Sequence, residues 1–378
     1  MLSQIKPPFR AEHIGSLLRP KALLELRRRH AAGEAAADRL AAAEDAAIRA
    51  AVAMQERVGL QLATDGEFRR QAYHSYFYGQ LGDVTLEAPA QTKGAETKGH
   101  DHAHGPTRGA QPQATIKSRL AWTRPIHAGD FTLLKSLTKA TPKITIPGPC
   151  ALHFRGGDAA ILAHAYRDVE QFWDDTVAAF RHELAALAAA GCTYVQIDET
   201  AFAKFGDPEV QAVLAARGDD WSALIDRYIA ITNRVLAGAP AGMRIGMHLC
   251  RGNRAGQFHA AGSYDAVAER LFNALDIGFY FLEYDSPRAG DFSPLRLVPA
   301  SKRIILGLVS TKSGAMEMKD DIKRRIDLAA RTIDLDRLAI SPQCGFASID
   351  TGNPLTEAEQ EAKLRLIVET ATEVWGAA

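Results

Sequence analysis

TYVQID (193–198), DDWSALIDRYIAITNRVLA (219–237) and MRIGMHL (243–249) read as strand, helix and strand. The two short runs are apolar and rich in β-branched residues. The segment between them repeats apolar residues at helical spacing. Strands that are apolar along their whole length belong to a parallel sheet buried on both faces. Working outward, the same alternation recurs. Further strands are expected at 11–15 (AEHIG), 59–64 (GLQLAT), 142–147 (PKITIP), 277–283 (IGFYFLE), 303–309 (RIILGLV) and 337–342 (RLAISP). Helices are expected at 168–190, 264–275, 316–332 and 356–374, and a long helical region at 20–58 should break near Gly33. Eight right-handed βα units close into a barrel. The fold class expected is therefore α/β, a (β/α)8 TIM barrel. A doubly wound sheet would need a glycine-rich phosphate turn after the first strand, and Gly15-Ser16-Leu17-Leu18-Arg19-Pro20 is not one.

The 378 residues are 47% hydrophobic and 24% charged, an ordinary globular composition. Dividing by about 150 residues per domain would suggest two or three domains, but an α/β barrel can use 250 or more as one. We expect a single barrel over 1–378. Forty-five Lys+Arg balance 45 Asp+Glu, so no long-range field would gather a polyanion, and a nucleic-acid partner is not expected. No run of 18 apolar residues is present, and the N-terminal MLSQIKPPFRAEH lacks a signal-peptide apolar segment. The expectation is a cytoplasmic protein without a membrane partner, its oligomeric state open. Four cysteines in so long a chain read as thiols, not as a disulfide framework.

The interval between the second and third strands is too long for a loop. Residues 66–141 are expected to be an insertion in the barrel. It would include a flexible loop at 86–115, rich in Gly, Pro, Ala and polar residues, and a return in extended structure over 116–138. In a barrel the working residues lie at the C-terminal ends of the strands. Those ends carry Gly15-Ser16, Asp65-Gly66-Glu67, Gly148-Pro149, Asp198-Glu199, His248-Leu249-Cys250, Glu283-Tyr284-Asp285, Ser310-Thr311-Lys312 and Gln343-Cys344.

Residues i and i+2 of a strand point the same way, so His248 and Cys250 should face the barrel axis together. With Glu283 and Cys344 they offer one nitrogen, two sulfurs and one carboxylate, a set that suits tetrahedral zinc. A free thiol has a pKa of about 8.5 and is mostly protonated at neutral pH. Zinc coordination removes that proton and makes a nucleophile for carbon electrophiles. A weakly held carboxylate such as Glu283 could yield its place to a substrate sulfur. The chemistry expected is alkylation of a thiol.

The pattern IGS at 14–16, DGE at 65–67, QIDE at 196–199, HLC at 248–250, a strand-terminal Glu283 and CG at 344–345 resembles cobalamin-independent methionine synthase, in its catalytic C-terminal half. The resemblance runs from about residue 10 to 350. It implies a (β/α)8 barrel that transfers a methyl group to the sulfur of homocysteine at zinc, with His248, Cys250, Glu283 and Cys344 as ligands. It also implies that Ile14, Gly15, Ser16, Glu67 and Asp198 hold the amino-acid part of homocysteine. Glu67 and Asp198 would pair with its ammonium, and Ser16 with nearby backbone N–H groups would receive its carboxylate. Asp198 or Glu199 could instead satisfy loop backbone groups.

The sequence departs from the family in three places. The long members carry an N-terminal duplicate barrel for which there is no room here. Folate-using members have an Asp-x-His proton donor after the seventh strand, where this chain reads Leu308-Val309-Ser310-Thr311-Lys312-Ser313. The tryptophan expected near a pterin has no counterpart in Cys150-Ala151-Leu152-His153-Phe154-Arg155. An amine is a poor leaving group unless protonated, so loss of the acid counts against methyl-folate. Lys312 could act as the acid if its pKa were depressed by the zinc charge. The donor is thus open between methyl-folate, a corrinoid and a small methylated compound.

Three alternatives accompany this reading. A coenzyme-M-type alkyltransferase uses the same metal logic on an epoxide, and a porphyrin decarboxylase shares the fold but needs no such ligands. A non-catalytic zinc- or thiol-binding barrel is the third. Elsewhere, His100, His102 and His104 read as a solvated loop, and Cys192 as an inert buried thiol. Tyr73 to Tyr78 could roof the site or simply pack. Arg69 and Arg70 could clamp an anion or pair with surface acids.

Overall fold

The computed structural model describes residues 8–87 and 113–377. Its strands are β1 (Leu62–Ala63), β2 (Val84–Glu87), β3 (Gln113–Ile116), β4 (Thr141–Pro142), β5 (Ile144–Pro147), β6 (Tyr194–Asp198), β7 (Arg244–Leu249), β8 (Phe279–Glu283), β9 (Arg303–Val309) and β10 (Leu338–Pro342). β5 to β10 form one parallel sheet in chain order. β1 pairs in parallel with β4, which runs on into β5 across Lys143.

The ring closes through the N-terminal segment. Ala11 bridges Ile340 of β10, and Thr64 Oγ1 donates to the Gly15 carbonyl at 2.7 Å on the other side. The protein is an α/β barrel of the (β/α)8 type. The strands expected at 11–15 and 59–64 are shorter than their apolar patterns, a single bridge and a two-residue ladder. Side-chain bonds from Thr64 and Lys143 take over part of the ladder there.

The helices are α1 (Lys21–Ala31), α2 (Ala37–Arg57), α3 (Ser75–Tyr78), α4 (Ala128–Leu137), α5 (Ala151–Leu162), α6 (Val169–Ala189), α7 (Ala201–Lys204), α8 (Pro208–Ala216), α9 (Trp221–Leu236), α10 (Asp265–Ala274), α11 (Lys319–Ala330) and α12 (Glu357–Trp375). Their starts follow from local chemistry. Asp168 caps α6, Asp220 caps α9, and Thr356 with Glu359 forms a capping box on α12. The break expected near Gly33 separates α1 from α2, with Gly33 at φ 76°.

The extended return expected over 116–138 is not what forms. Ala128–Leu137 is helical and buries Phe131 and Leu134, three apart on one face, while β2 and β3 make an antiparallel ribbon apart from the barrel sheet. Most of 86–115, including His100, His102 and His104, lies outside the described residues.

The barrel interior below its mouth is not wholly apolar. Lys143 and Glu12 are both fully buried, with Nζ 3.2 Å from the Glu12 carboxylate. Nζ also donates to the His13 carbonyl and, at 3.0 Å, to Gln196 Oε1. The ammonium lies over the rings of Phe281 and Tyr194, and Tyr194 donates to Glu12 at 2.7 Å. Removing one member of a buried ion pair leaves its partner's charge without compensation, at a cost of about 3–5 kcal/mol. Lys143→Met should lose stability of that order in urea unfolding, and Glu12→Gln/Lys143→Met should lose less than the two single changes summed. A loss below about 1 kcal/mol for Lys143→Met would show that the pair does not hold the barrel together.

Candidate active site

Strand register sets the site. In β6 and β7, Asp198 stands directly beside His248, and in β7 and β8, Leu249 stands beside Leu282, one residue before Glu283. Cys250 continues β7, and Cys344 follows the end of β10. The side-chain donor atoms of His248, Cys250 and Cys344 all lie within 4.8 Å of one another, and all three residues are buried. Neither ring nitrogen of His248 has a hydrogen-bond partner. A buried imidazole without partners is costly, and one beside two sulfurs is a ligand geometry. Cys344 as a donor, followed by the opposing effect of burial and the pull of the His248 charge, leaves Cys250 well below the usual thiol range. Its partner Cys344 is pushed well above that range. A nitrogen and two sulfurs at this spacing fit zinc with three protein ligands and a fourth position open.

Glu283 stands outside that cluster. Its Oε1 meets Lys312 Nζ at 3.1 Å and Arg288 Nη2 at 2.5 Å, and its Oε2 accepts from the Arg251 N–H at 2.5 Å. Burial raises its pKa, but Lys312, Arg288 and Arg251 outweigh burial and hold it at about 2. Lys312 also meets Asp285 at 3.3 Å. Burial pulls the Lys312 ammonium down, yet Glu283 and Asp285 outweigh that and raise it.

The residues expected for an amino-acid group gather in a cavity of about 360 Å³ at the barrel mouth. Ile14, Ser16, Glu67 and Asp198 line it together with His248, Cys250 and Cys344. Gly15 supports that wall without lining it. Its φ is 130°, and a Cβ there would meet Thr145 Cγ2 at 2.5 Å and Glu67 Oε1 at 3.0 Å. Glu67 holds a positive φ of 60°, fixed by its N–H bond to Asp65 Oδ1 at 2.9 Å. Strained backbone of this kind is stored where a side chain must be aimed. Thr145 donates to Glu67 Oε1 at 2.7 Å, while the buried Oε2 accepts no hydrogen bond and lies 3.9 Å from Arg70 Nη1. Burial pushes the Asp198 carboxyl up to about 7, with His248 opposing the rise and Glu67 adding to it. Glu199, by contrast, accepts from the N–H groups of Ala201 and Cys150 and so ties two loops together.

Several supporting residues were missed by the reading of strand ends. Gln196 donates to Asp198 Oδ1 at 2.7 Å and to the Ile14 carbonyl at 2.6 Å, although it lies inside the QIDE run. Arg70, buried behind Glu67, donates to Thr145, whereas Arg69 pairs with Asp45 and Asp130. Tyr73, His74 and Ser75 line the cavity, while Phe77 and Tyr78 join the core. Arg155, Lys204 and Arg254 line it too. Burial, then the charges of Arg155, Lys204 and Arg254, hold the His74 imidazole well below its usual pKa. Cys150 and Cys192 are buried, and burial raises both thiols.

No helix among the described residues is long and apolar enough to cross a membrane. Residues 154–373 match the family model for the catalytic domain of cobalamin-independent synthase. The uncharacterized protein YxjH of Bacillus subtilis is 40% identical over 374 residues, which cover 98% of this chain and 96% of its own. Methionine synthase of Pyrococcus abyssi is 23% identical over 338 residues, covering 89% of this chain and 86% of its own. A Listeria monocytogenes protein solved as a candidate vitamin-B12-independent methionine synthase superposes with a TM-score of 0.75 at 31% identity. It covers 99% of this chain and 100% of its own. A B12-independent methionine synthase from Shewanella sp. W3-18-1, solved with selenomethionine, shares the fold at a TM-score of 0.71 and 18% identity, covering 97% of each chain. The chain therefore belongs to the cobalamin-independent synthase family and is a methyltransferase of the methionine-synthase type.

Proposed function

We propose that this enzyme methylates the sulfur of homocysteine to give methionine, with zinc held by His248, Cys250 and Cys344. The observation that carries the reading is the nitrogen–sulfur–sulfur cluster in the wall of the same cavity as Ser16, Glu67 and Asp198. Zinc bound there would supply the Lewis acidity that frees a thiol of its proton at neutral pH. Glu283 is the fourth donor that the resemblance implies.

The chain's own residues do the positioning. Glu67 and Asp198 receive the substrate ammonium; Glu67 Oε2 accepts no hydrogen bond, with Arg70 Nη1 3.9 Å away. Ser16 and the backbone around Ile14 and Gly15 receive the carboxylate. Glu67 and Asp198 are themselves buried, so each charge-assisted contact they make counts for more than in solution. The sulfur–methyl bond forms as the bond from methyl to donor breaks. The electron pair leaves with the donor, and the proton lost by the thiol balances the one the leaving group takes up. Lys312 is assigned to holding Glu283 and Asp285 in place. The pair of acids at Glu67 and Asp198 weighs against the sulfonate thiol of a coenzyme-M-type alkyltransferase, since they would repel it.

Dialysis against a chelator should abolish methionine formation from homocysteine with a panel of methyl donors, and one equivalent of zinc should restore it. Cys250→Ser and Cys344→Ser should each lower zinc content and cut turnover by more than about 100-fold. Zinc binding with no methylated product from any donor would leave a non-catalytic zinc- or thiol-binding barrel.

The ammonium contacts have their own readout. Glu67→Gln and Asp198→Asn should each raise KM for homocysteine by about tenfold or more. The same changes should leave KM for 4-mercaptobutyrate, which lacks the amine, within about twofold of the parent enzyme. Equal effects on both thiols would remove these carboxylates from ammonium recognition.

A further inference from the structure

The barrel closes at a seam with few ladder bonds. Ala11 bridges Ile340 singly, and β1 makes only a two-residue ladder with β4. Three residues assigned above to substrate or metal stand on loops at that seam, not on the long ladder of β5 to β10. Ser16 follows the first strand segment, Glu67 follows β1 and Cys344 follows β10. Arg19 lies among these loops and is only 4% exposed. Its Nη2 donates to the carbonyls of Glu67 and Arg70, both at 2.8 Å. Its Nη1 donates to those of Ala347 at 3.2 Å and Ile349 at 3.4 Å. One planar group therefore spans the turn that carries Glu67 and the segment that follows Cys344.

A guanidinium bonded on both sides fixes a separation, because its donors form a rigid fork. Two other ties join these loops further along. The Tyr73 N–H donates to the Ser348 carbonyl at 3.1 Å, and the Asp350 N–H to the Gln71 carbonyl at 2.8 Å. Of these ties, only Arg19 reaches Glu67 itself, the residue whose backbone holds a φ of 60°. Arg19 is not in the cavity lining, so it acts on a ligand through the residues it holds. An amino-acid thiol bound as proposed puts its ammonium at Glu67 and Asp198 and its sulfur at the metal cluster. Two methylenes separate Cα from sulfur in homocysteine, and one does in cysteine. Asp198 and His248 keep their spacing through the β6–β7 ladder. The spacing of Glu67 from Cys344 has no such ladder behind it, and Arg19 takes its place.

We propose that Arg19 is a positioning residue that sets the reach of the site. It holds Glu67 and Cys344 at the separation that the ammonium and sulfur of homocysteine span, and so selects against the shorter cysteine. The inference rests on the homocysteine reading and adds to it the residue that measures chain length. A site of fixed length discriminates one methylene by about 10–200-fold, whereas loops free to move recover contact with the shorter thiol. Lysine cannot replace Arg19, because an ammonium on a flexible stem does not hold two loops in one plane.

The test is calorimetric titration of the zinc-loaded protein with L-homocysteine, L-cysteine and 1-propanethiol, which has no ammonium and reads the metal alone. The parent enzyme should bind homocysteine about 10–200-fold more tightly than cysteine. Arg19→Gln should weaken homocysteine by about tenfold or more and cysteine by less than about threefold, with zinc content and 1-propanethiol affinity unchanged. Arg19→Lys should show the same loss. It keeps the charge and the stem, and it carries the comparison if Arg19→Gln does not fold. In a double-mutant cycle, Arg19→Gln should cost less than about threefold in homocysteine affinity once Glu67→Gln is present, because it acts through Glu67. Equal weakening of all three thiols, or additive costs in the cycle, would overturn the proposal. A parent that discriminates, with Arg19 variants that do so equally, would keep the homocysteine reading and remove Arg19 from it. A parent that binds homocysteine no more tightly than 1-propanethiol would remove that reading and the proposal with it.

Discussion

An imidazole and two sulfurs brought together at the buried mouth of the barrel is the constraint to which the rest of the molecule accommodates. His248, Cys250 and Cys344 converge within 4.8 Å, in a place where unpaired polar atoms are expensive. The curvature of the barrel brings the end of β7 and the segment after β10, three places apart in the sheet, together across its mouth. The arrangement is unfavourable for a protein on its own account. A divalent cation bound there would reverse that, by neutralising the sulfurs and taking up an imidazole nitrogen.

Around that point the chain is pre-organised by layers of buried hydrogen bonds. Lys143 can only donate, so Gln196 must present its oxygen to it and its NH₂ group to Asp198 and the Ile14 carbonyl. The orientation of Asp198 is thus set from beneath by a cation at the start of the neighbouring strand, β5. Arg70 and Thr145 do the same for Glu67. On the far side, Arg288, Lys312 and the Arg251 N–H enclose Glu283. Sites held by such supporting shells lose little free energy to reorganisation when the substrate arrives.

How much of this was legible in the sequence depended on periodicity and on where a residue lies along its strand. The continuous apolar runs from 193 to 342 announced β6 to β10 and the barrel, because both faces of such strands are buried. Period two placed His248 and Cys250 on one side. The first strand was harder to bound, since AEHIG pairs only at Ala11 and its Glu12 and His13 serve buried polar contacts instead of a ladder. The segment FTLLKSL looked extended by composition, yet it packs as α4 because Phe131 and Leu134 bury a helical stripe. Lys143 in PKITIP was visible as a charge inside an apolar strand, which is the signal that could have found the network behind Asp198. Arg155, Lys204 and Arg254 sit several residues past their strand ends, where no periodicity says which way a loop folds back.

The most direct measurement is X-ray absorption at the zinc edge of the purified, zinc-loaded enzyme, before and after homocysteine is added. The account predicts one equivalent of zinc with two sulfur neighbours and a histidine nitrogen, and one further sulfur neighbour once the thiol substrate is present. A shell of oxygen and nitrogen alone, or a sulfur count that homocysteine leaves unchanged, would contradict it.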